Sequence, residues 1–190
     1  TVAGAVAATG GGVVLDANGA LSVTNGINVT AGGNSTVLTI NAAGITIGTG
    51  ANTDETLKNT GDGTITLTSD AGSNITLNSF AITIATGALE VNASGSGDLI
   101  AGVSATAEEI DTDGNVTLRG TAIGTSNGGI DITVTTDGGT LTVDSNAVDD
   151  GDDVIIDLAN ADFDIITITQ LLSDNDITIT GTGSDVVDIN

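Results

Sequence analysis

Thr64-Ile-Thr-Leu-Thr-Ser-Asp-Ala-Gly-Ser-Asn-Ile-Thr-Leu-Asn-Ser-Phe-Ala-Ile-Thr-Ile84 holds one short word three times: Ile65-Thr-Leu67, Ile75-Thr-Leu77 and Ile82-Thr-Ile84. In an extended chain successive side chains point to opposite faces, so each word puts two aliphatic residues on one face and Thr on the other. The polar, glycine-containing interval Ser69–Asn74 is turn chemistry. The same word returns at Val116-Thr-Leu118, Leu141-Thr-Val143 and Ile177-Thr-Ile179. No long stretch repeats with the helical period, so the chain predicts an all-β fold.

Working outward, strand centres are expected near Val14, Ser22, Asn28, Thr39, Thr46, Thr66, Thr76, Thr83, Glu90, Thr117, Thr133, Thr142, Ile156, Thr167, Thr178 and Val187. Between them stand Asn18-Gly19, Asn25-Gly26, Asp62-Gly63, Asp113-Gly114 and Asp137-Gly138. Two architectures use these parts. In a parallel β-solenoid the glycine pairs are corners and like residues stack into ladders. In an antiparallel β-sandwich, completed by a donated strand, they are hairpin turns. The recurrence of one word favours the solenoid, with coils of roughly 20 to 30 residues. The only aromatic residues are Phe80 and Phe163. A core without large rings suits a narrow bore. Residues 1–190 read as one β domain, with a possible seam near 104–113, where Ser104-Ala-Thr-Ala-Glu-Glu-Ile-Asp111 breaks the strand rhythm.

Composition excludes much of ordinary chemistry. There is no His or Cys, so Ser-His and Cys-His nucleophiles are impossible, and with no Trp or Tyr there is no platform for stacking sugars. An enzyme is not expected. Lys58 and Arg119 are the only basic side chains and the net charge is −23. A chain so short of cations is not expected to bind nucleic acid or anionic lipid. No apolar run approaches the roughly 20 residues of a membrane span, so membrane insertion is not expected. Residues 1–100 hold seven acidic side chains and residues 101–190 hold eighteen. The start shows neither an initiator Met nor a signal-peptide pattern, which reads as a processed form or an excised part.

Gly114-Asn-Val-Thr-Leu118, Gly129-Ile-Asp-Ile-Thr-Val134, Gly138-Gly-Thr-Leu-Thr-Val143 and Asp176-Ile-Thr-Ile-Thr180 resemble the repetitive shafts of filamentous-haemagglutinin-type secreted bacterial adhesins. That resemblance implies a parallel β-helix exported to the cell surface. Gly181-Thr-Gly-Ser-Asp-Val-Val187 is similar to one copy of the calcium-binding nonapeptide repeat of RTX proteins. Gly102-Val-Ser-Ala-Thr-Ala-Glu-Glu-Ile-Asp111 is similar to a short motif of phage tail fibres.

The candidate metal ligands are Asp149, Asp150, Asp152 and Asp153 around Gly151, together with Asp185 in the nonapeptide-like stretch. Several carboxylates on a glycine turn suit Ca²⁺, which takes many oxygens in a flexible shell. A solvated acidic corner is the plainer explanation of the Asp149–Asp153 cluster, so no cofactor is required and calcium is optional. Thr-x-Thr pairs such as Thr64/Thr66 and Thr140/Thr142 raise an ice-binding face, but their uneven intervals along the chain argue against a regular lattice. Five sequons, at Asn28, Asn34, Asn74, Asn92 and Asn115, are what this Asn, Ser and Thr content gives by chance.

Five words are apolar on adjacent positions: Val13-Val14, Ile155-Ile156, Ile165-Ile166, Leu171-Leu172 and Val186-Val187. A strand apolar on both faces expects cover on both. The candidate subunit contacts are therefore Val2, Val6, Val13, Ile156, Ile166, Leu172 and Val187. The expectation is an extracellular or cell-surface structural protein that polymerises with itself through strand edges. The alternative is a calcium-stabilised adhesin or surface-layer module that binds a glycan or host receptor.

Overall fold

The computed structural model describes residues 1–9, 11–24, 26–30, 37–49, 56–60, 62–78, 81–102, 108–125, 129–133, 139–146, 152–159, 163, 165–170 and 176–182. These residues hold strands and turns and no helix, so none of them form a helix long enough to cross a membrane. The chain winds as a parallel β-solenoid, three short strands to the rung. The first rung is β1 (Val6–Thr9), β2 (Val13–Ala17) and β3 (Leu21–Val23). The second is β4 (Ile27–Thr30), β5 (Leu38–Ala42) and β6 (Ile45–Ile47), and the third is β7 (Leu57–Asn59), β8 (Thr64–Ser69) and β9 (Ile75–Leu77). Then come β10 (Ile82–Ile84), β11 (Ala88–Ala93) and β12 (Leu99–Ala101), followed by β13 (Ile110–Thr112), β14 (Asn115–Gly120) and β15 (Ile123–Thr125). The chain continues through β16 (Ile130–Thr133), β17 (Thr140–Ser145), β18 (Val154–Ala159), β19 (Ile165–Gln170) and β20 (Ile177–Thr182).

Every pairing among the described strands is parallel, which settles the choice between solenoid and antiparallel sandwich. The glycine pairs that are described whole, Asn18-Gly19, Asp62-Gly63 and Asp113-Gly114, are corners, because after each one the chain enters the other sheet instead of folding back on itself. One face is a seven-stranded sheet ordered β19-β17-β14-β11-β8-β5-β2. Its innermost ladder runs Val13, Leu38, Ile65, Leu89, Val116, Leu141, Ile166, in steps of 25, 27, 24, 27, 25 and 25 residues. Beside it Leu15, Ile40, Leu67, Val91, Leu118, Val143 and Ile168 stack in the same register.

Because each strand alternates, these two ladders point into the bore and their interior members are sealed from water, at 0–1 % exposure from Leu38 to Leu141. Full burial of each such side chain contributes roughly 1.5–3 kcal/mol. The third inward position carries small residues: Ala42, Ser69, Ala93, Gly120 and Ser145. There the chain bends toward the next face. Ser69 Oγ donates to Ser73 O at 2.6 Å and Ser145 Oγ to Thr121 O at 2.8 Å, which satisfies their hydroxyls at the bend.

The outward ladder of the same face reads Val14, Thr39, Thr66, Glu90, Thr117, Thr142, Thr167. The threonines that look unevenly spaced along the chain are thus evenly spaced on the sheet, since length differences are absorbed at corners. The column is still no uniform threonine lattice. Glu90 interrupts it, and Arg119, from the outward column beside it, bonds Glu90 (2.9 Å) and its own register partner Asp144 (3.5 Å).

The other two faces are joined into one thirteen-stranded sheet by β18. Val154 pairs with Ile123 of β15, while Ile156 pairs with Ile130 of β16, so one strand spans what earlier rungs build as two faces with a corner. The preparation is visible one rung earlier. Leu99 pairs with Ile123 but Ile100 with Thr125, leaving Gly124 as the extra residue of a bulge. Gly124 has φ +77° and a Cβ there would run into the carbonyl oxygen of Ile155. Only glycine fits both demands. The suggested seam leaves the winding intact where it is described: β13 pairs with β10 on one side and β16 on the other.

Candidate assembly interface

The first rung is the open end of the described solenoid. β1 and β2 pair only with β4 and β5, so their other edges present unpaired rows of backbone groups among the described residues. The side chains show the same asymmetry. Val6, Val13, Leu15, Ala17 and Leu21 are partly exposed, whereas their partners one rung on, Ile27, Leu38, Ile40, Ala42 and Ile45, are 0–2 % exposed. Val14 is 67 % exposed on the outer face. The third strand of this rung has a partial cover from its own chain. Val2 bridges Val23, its N–H donating to Ser22 O at 2.8 Å and its carbonyl accepting from Thr24 N–H at 3.1 Å. Val6 N–H donates to Gly26 O at 3.0 Å. The N-terminal residues are therefore wound onto their own solenoid.

At the other end of the described solenoid, among the described residues, β19 pairs only with β17 and β20 only with β18. Ile177 is 45 % exposed, although the rest of its inward column beyond the first rung, Ile45, Ile75, Leu99, Ile123 and Val154, is 0–2 % exposed.

Of the expected contact residues, Val2, Val6 and Val13 lie at the open first rung. Ile156 and Ile166 do not serve as contacts. Ile156 is fully buried between Ile130 and Ile179, and Ile166 is 4 % exposed behind Leu141. Both sit at inward positions, so the apolar pairs that contain them line the bore with one member. For Ile155-Ile156 the second member is also accommodated within the chain: Gly129, at φ +117°, leaves room beside Ile155, whose Cγ2 lies 3.1 Å from where a Gly129 Cβ would stand. Leu172 and Val187 lie outside the described residues.

Of the expected metal ligands, Asp149, Asp150 and Asp185 lie outside the described residues. Asp152 and Asp153 lead into β18, and Asp153 has a structural task. Its Oδ1 accepts the backbone N–H of Asp176, one rung on, at 3.0 Å. No group of three or more His, Cys, Asp or Glu able to hold a metal ion occurs among the described residues.

Asp153 belongs to a column that the sequence reading missed. The residue before each strand of this face is Ala20, Gly44, Asn74, Asp98, Ala122, Asp153 and Asp176 in turn. Asn74 Oδ1 accepts from Asp98 N–H at 2.9 Å, and Asp98 Oδ1 accepts from Ala122 N–H at 3.3 Å. Each carboxylate or amide therefore reaches forward to the backbone of the following rung, whatever side chain stands there. The signal was the pair Asn/Asp-aliphatic, at Asn74-Ile75, Asp98-Leu99, Asp153-Val154 and Asp176-Ile177. Comparison with family models, with curated proteins and with solved structures finds no match.

Proposed function

We propose that this chain is a structural protein of the cell exterior, a subunit that polymerises with itself into a filament or surface fibre through its strand edges. The observation that carries the reading is the first rung, whose inward aliphatic residues are partly exposed while their partners one rung on are sealed. An open sheet edge is a template for another strand, and head-to-tail contact between unlike ends propagates as an open filament unless it closes. The resemblance to haemagglutinin-type shafts supports the extracellular assignment. The partner is a second copy of the chain.

Sedimentation and electron microscopy of the purified protein test this directly. Fibres are expected, forming faster as salt screens the charge of −23. Leu15→Glu places a charge on the open rung and should suppress fibres while the β signal in circular dichroism persists. A wild-type chain that stays monomeric at high concentration, or a Leu15→Glu variant that assembles like wild type, overturns the reading.

A further inference from the structure

We propose that the corner Asn18-Gly19 is a self-modification site, where the backbone nitrogen of Gly19 displaces the side-chain amide of Asn18 and leaves a carboxylate in its place. The reaction does not depend on assembly.

This corner differs from the one stacked on it. Ala17 pairs with Ala42 and Leu21 with Ile45, so three residues, 18–20, turn here where two, 43 and 44, suffice on the next rung. The surplus leaves Asn18, Gly19 and Ala20 exposed. Beyond its chain neighbours, no atom lies within 4 Å of where a Gly19 Cβ would stand. Neither the Asn18 amide nor the Gly19 N–H has a hydrogen-bond partner among the described residues. An amide carbon free to turn and a backbone nitrogen that no side chain shields are what an intramolecular attack needs.

Asparagines elsewhere are held or shielded. Asn74 Oδ1 accepts the Asp98 N–H at 2.9 Å, and Asn115 Oδ1 accepts the N–H and hydroxyl of Thr140 at 2.9 and 3.1 Å. Asn78 is 5 % exposed, and its Nδ2 donates to Ile47 O and Gly48 O, each at 3.1 Å. Among the described residues, only Asn18 precedes a glycine.

The chemistry needs only water. The Gly19 nitrogen bonds to Asn18 Cγ, the Cγ–Nδ2 bond breaks, and ammonia leaves with the proton that the nitrogen gave up. Water opens the cyclic imide at either carbonyl, giving aspartate or isoaspartate. Isoaspartate lengthens the main chain by one carbon, but inside a corner that makes no bonds of its own, so Leu21 N–H can keep Gly44 O at 2.8 Å. The outcome is a permanent negative charge that accumulates with age on a stretch, residues 1–50, whose one acidic side chain is Asp16.

The folded full chain, incubated at mildly alkaline pH, tests this by intact mass, fragment spectra and an enzymatic assay for isoaspartyl groups. Asn18 should convert ahead of Asn74, Asn78 and Asn115, with the β signal in circular dichroism unchanged. Gly19→Ala fits the open space and should slow conversion at least roughly tenfold, because its methyl shields the attacking nitrogen. The proposal is overturned if Asn18 keeps its amide while those three convert, or if folded Gly19→Ala converts as fast as wild type. Loss of the β signal on conversion would show that the corner cannot take the longer chain.

Discussion

Gly114 stands directly beside Gly87 on the neighbouring rung, and a Cβ on Gly114 would collide with the Gly87 carbonyl oxygen. Gly87 stands in the same relation to Gly63. These corners bring backbone against backbone, so the glycines are needed for closeness. Gly87→Ala and Gly114→Ala should each destabilise the fold by about 1–3 kcal/mol, the usual cost of forcing a methyl into a packed interior. Thermal unfolding followed by circular dichroism measures it. Midpoints equal to wild type would mean the corner can open without cost.

The solenoid should be stiffest in its middle. Leu118 is 0 % exposed between Val91 and Val143, whereas Leu15 is partly exposed on the first rung. Leu118→Ala is expected to cost about 2–5 kcal/mol in denaturant unfolding, and Leu15→Ala distinctly less. Equal losses would show that the first rung is sealed in solution.

Arg119 bonds Glu90 at 2.9 Å and reaches Asp144 at 3.5 Å, but its side chain is 37 % exposed and those of its partners 44 % and 39 %. Water screens such a cluster. Arg119→Gln should cost no more than about 1 kcal/mol, and added salt should shrink the difference. A larger, salt-insensitive loss would assign the residue a packing role instead.

Chelation should leave the fold in place. Asp153, one of the acidic residues read as a calcium ligand, is bonded to the backbone of Asp176. Calorimetry with and without chelator is expected to show at most a modest shift in midpoint. Collapse of the β signal in chelator would show that metal binding supplies folding free energy.

The aliphatic-Thr-aliphatic words made most strands legible, because two inward aliphatic residues around an outward Thr leave a clear period of two. The strands that escaped, β1, β7, β12, β13 and β15, break that pattern; β1 reads Val-Ala-Ala-Thr, with a small Ala as its second inward residue. In β7 and β13 the second inward residue is polar, Asn59 and Thr112, both essentially buried. In β15 a glycine bulge shifts the alternation at Gly124. β12, Leu99-Ile-Ala101, is apolar at all three positions and carries no alternation to read. The open first rung was partly legible in Val2, Val6 and Val13. Ile156 and Ile166 misled because adjacency of two apolar residues does not say which faces the bore. The Asn/Asp column was hidden because its meaning lies between rungs, about 25 residues apart, where a linear reading sees only turn residues.

Parallel winding also dictates how the molecule bears load. Hydrogen bonds between rungs run along the solenoid axis, so tension applied between the two ends falls on one rung's bonds at a time instead of shearing many together. The chain should then peel rung by rung under force. Each of the 24–27-residue steps released would add about 80–90 Å of extended chain, giving an evenly toothed extension curve in single-molecule pulling. A fibre built from such units would yield in small repeated increments and rewind when slack, a shock absorber made from one recurring word.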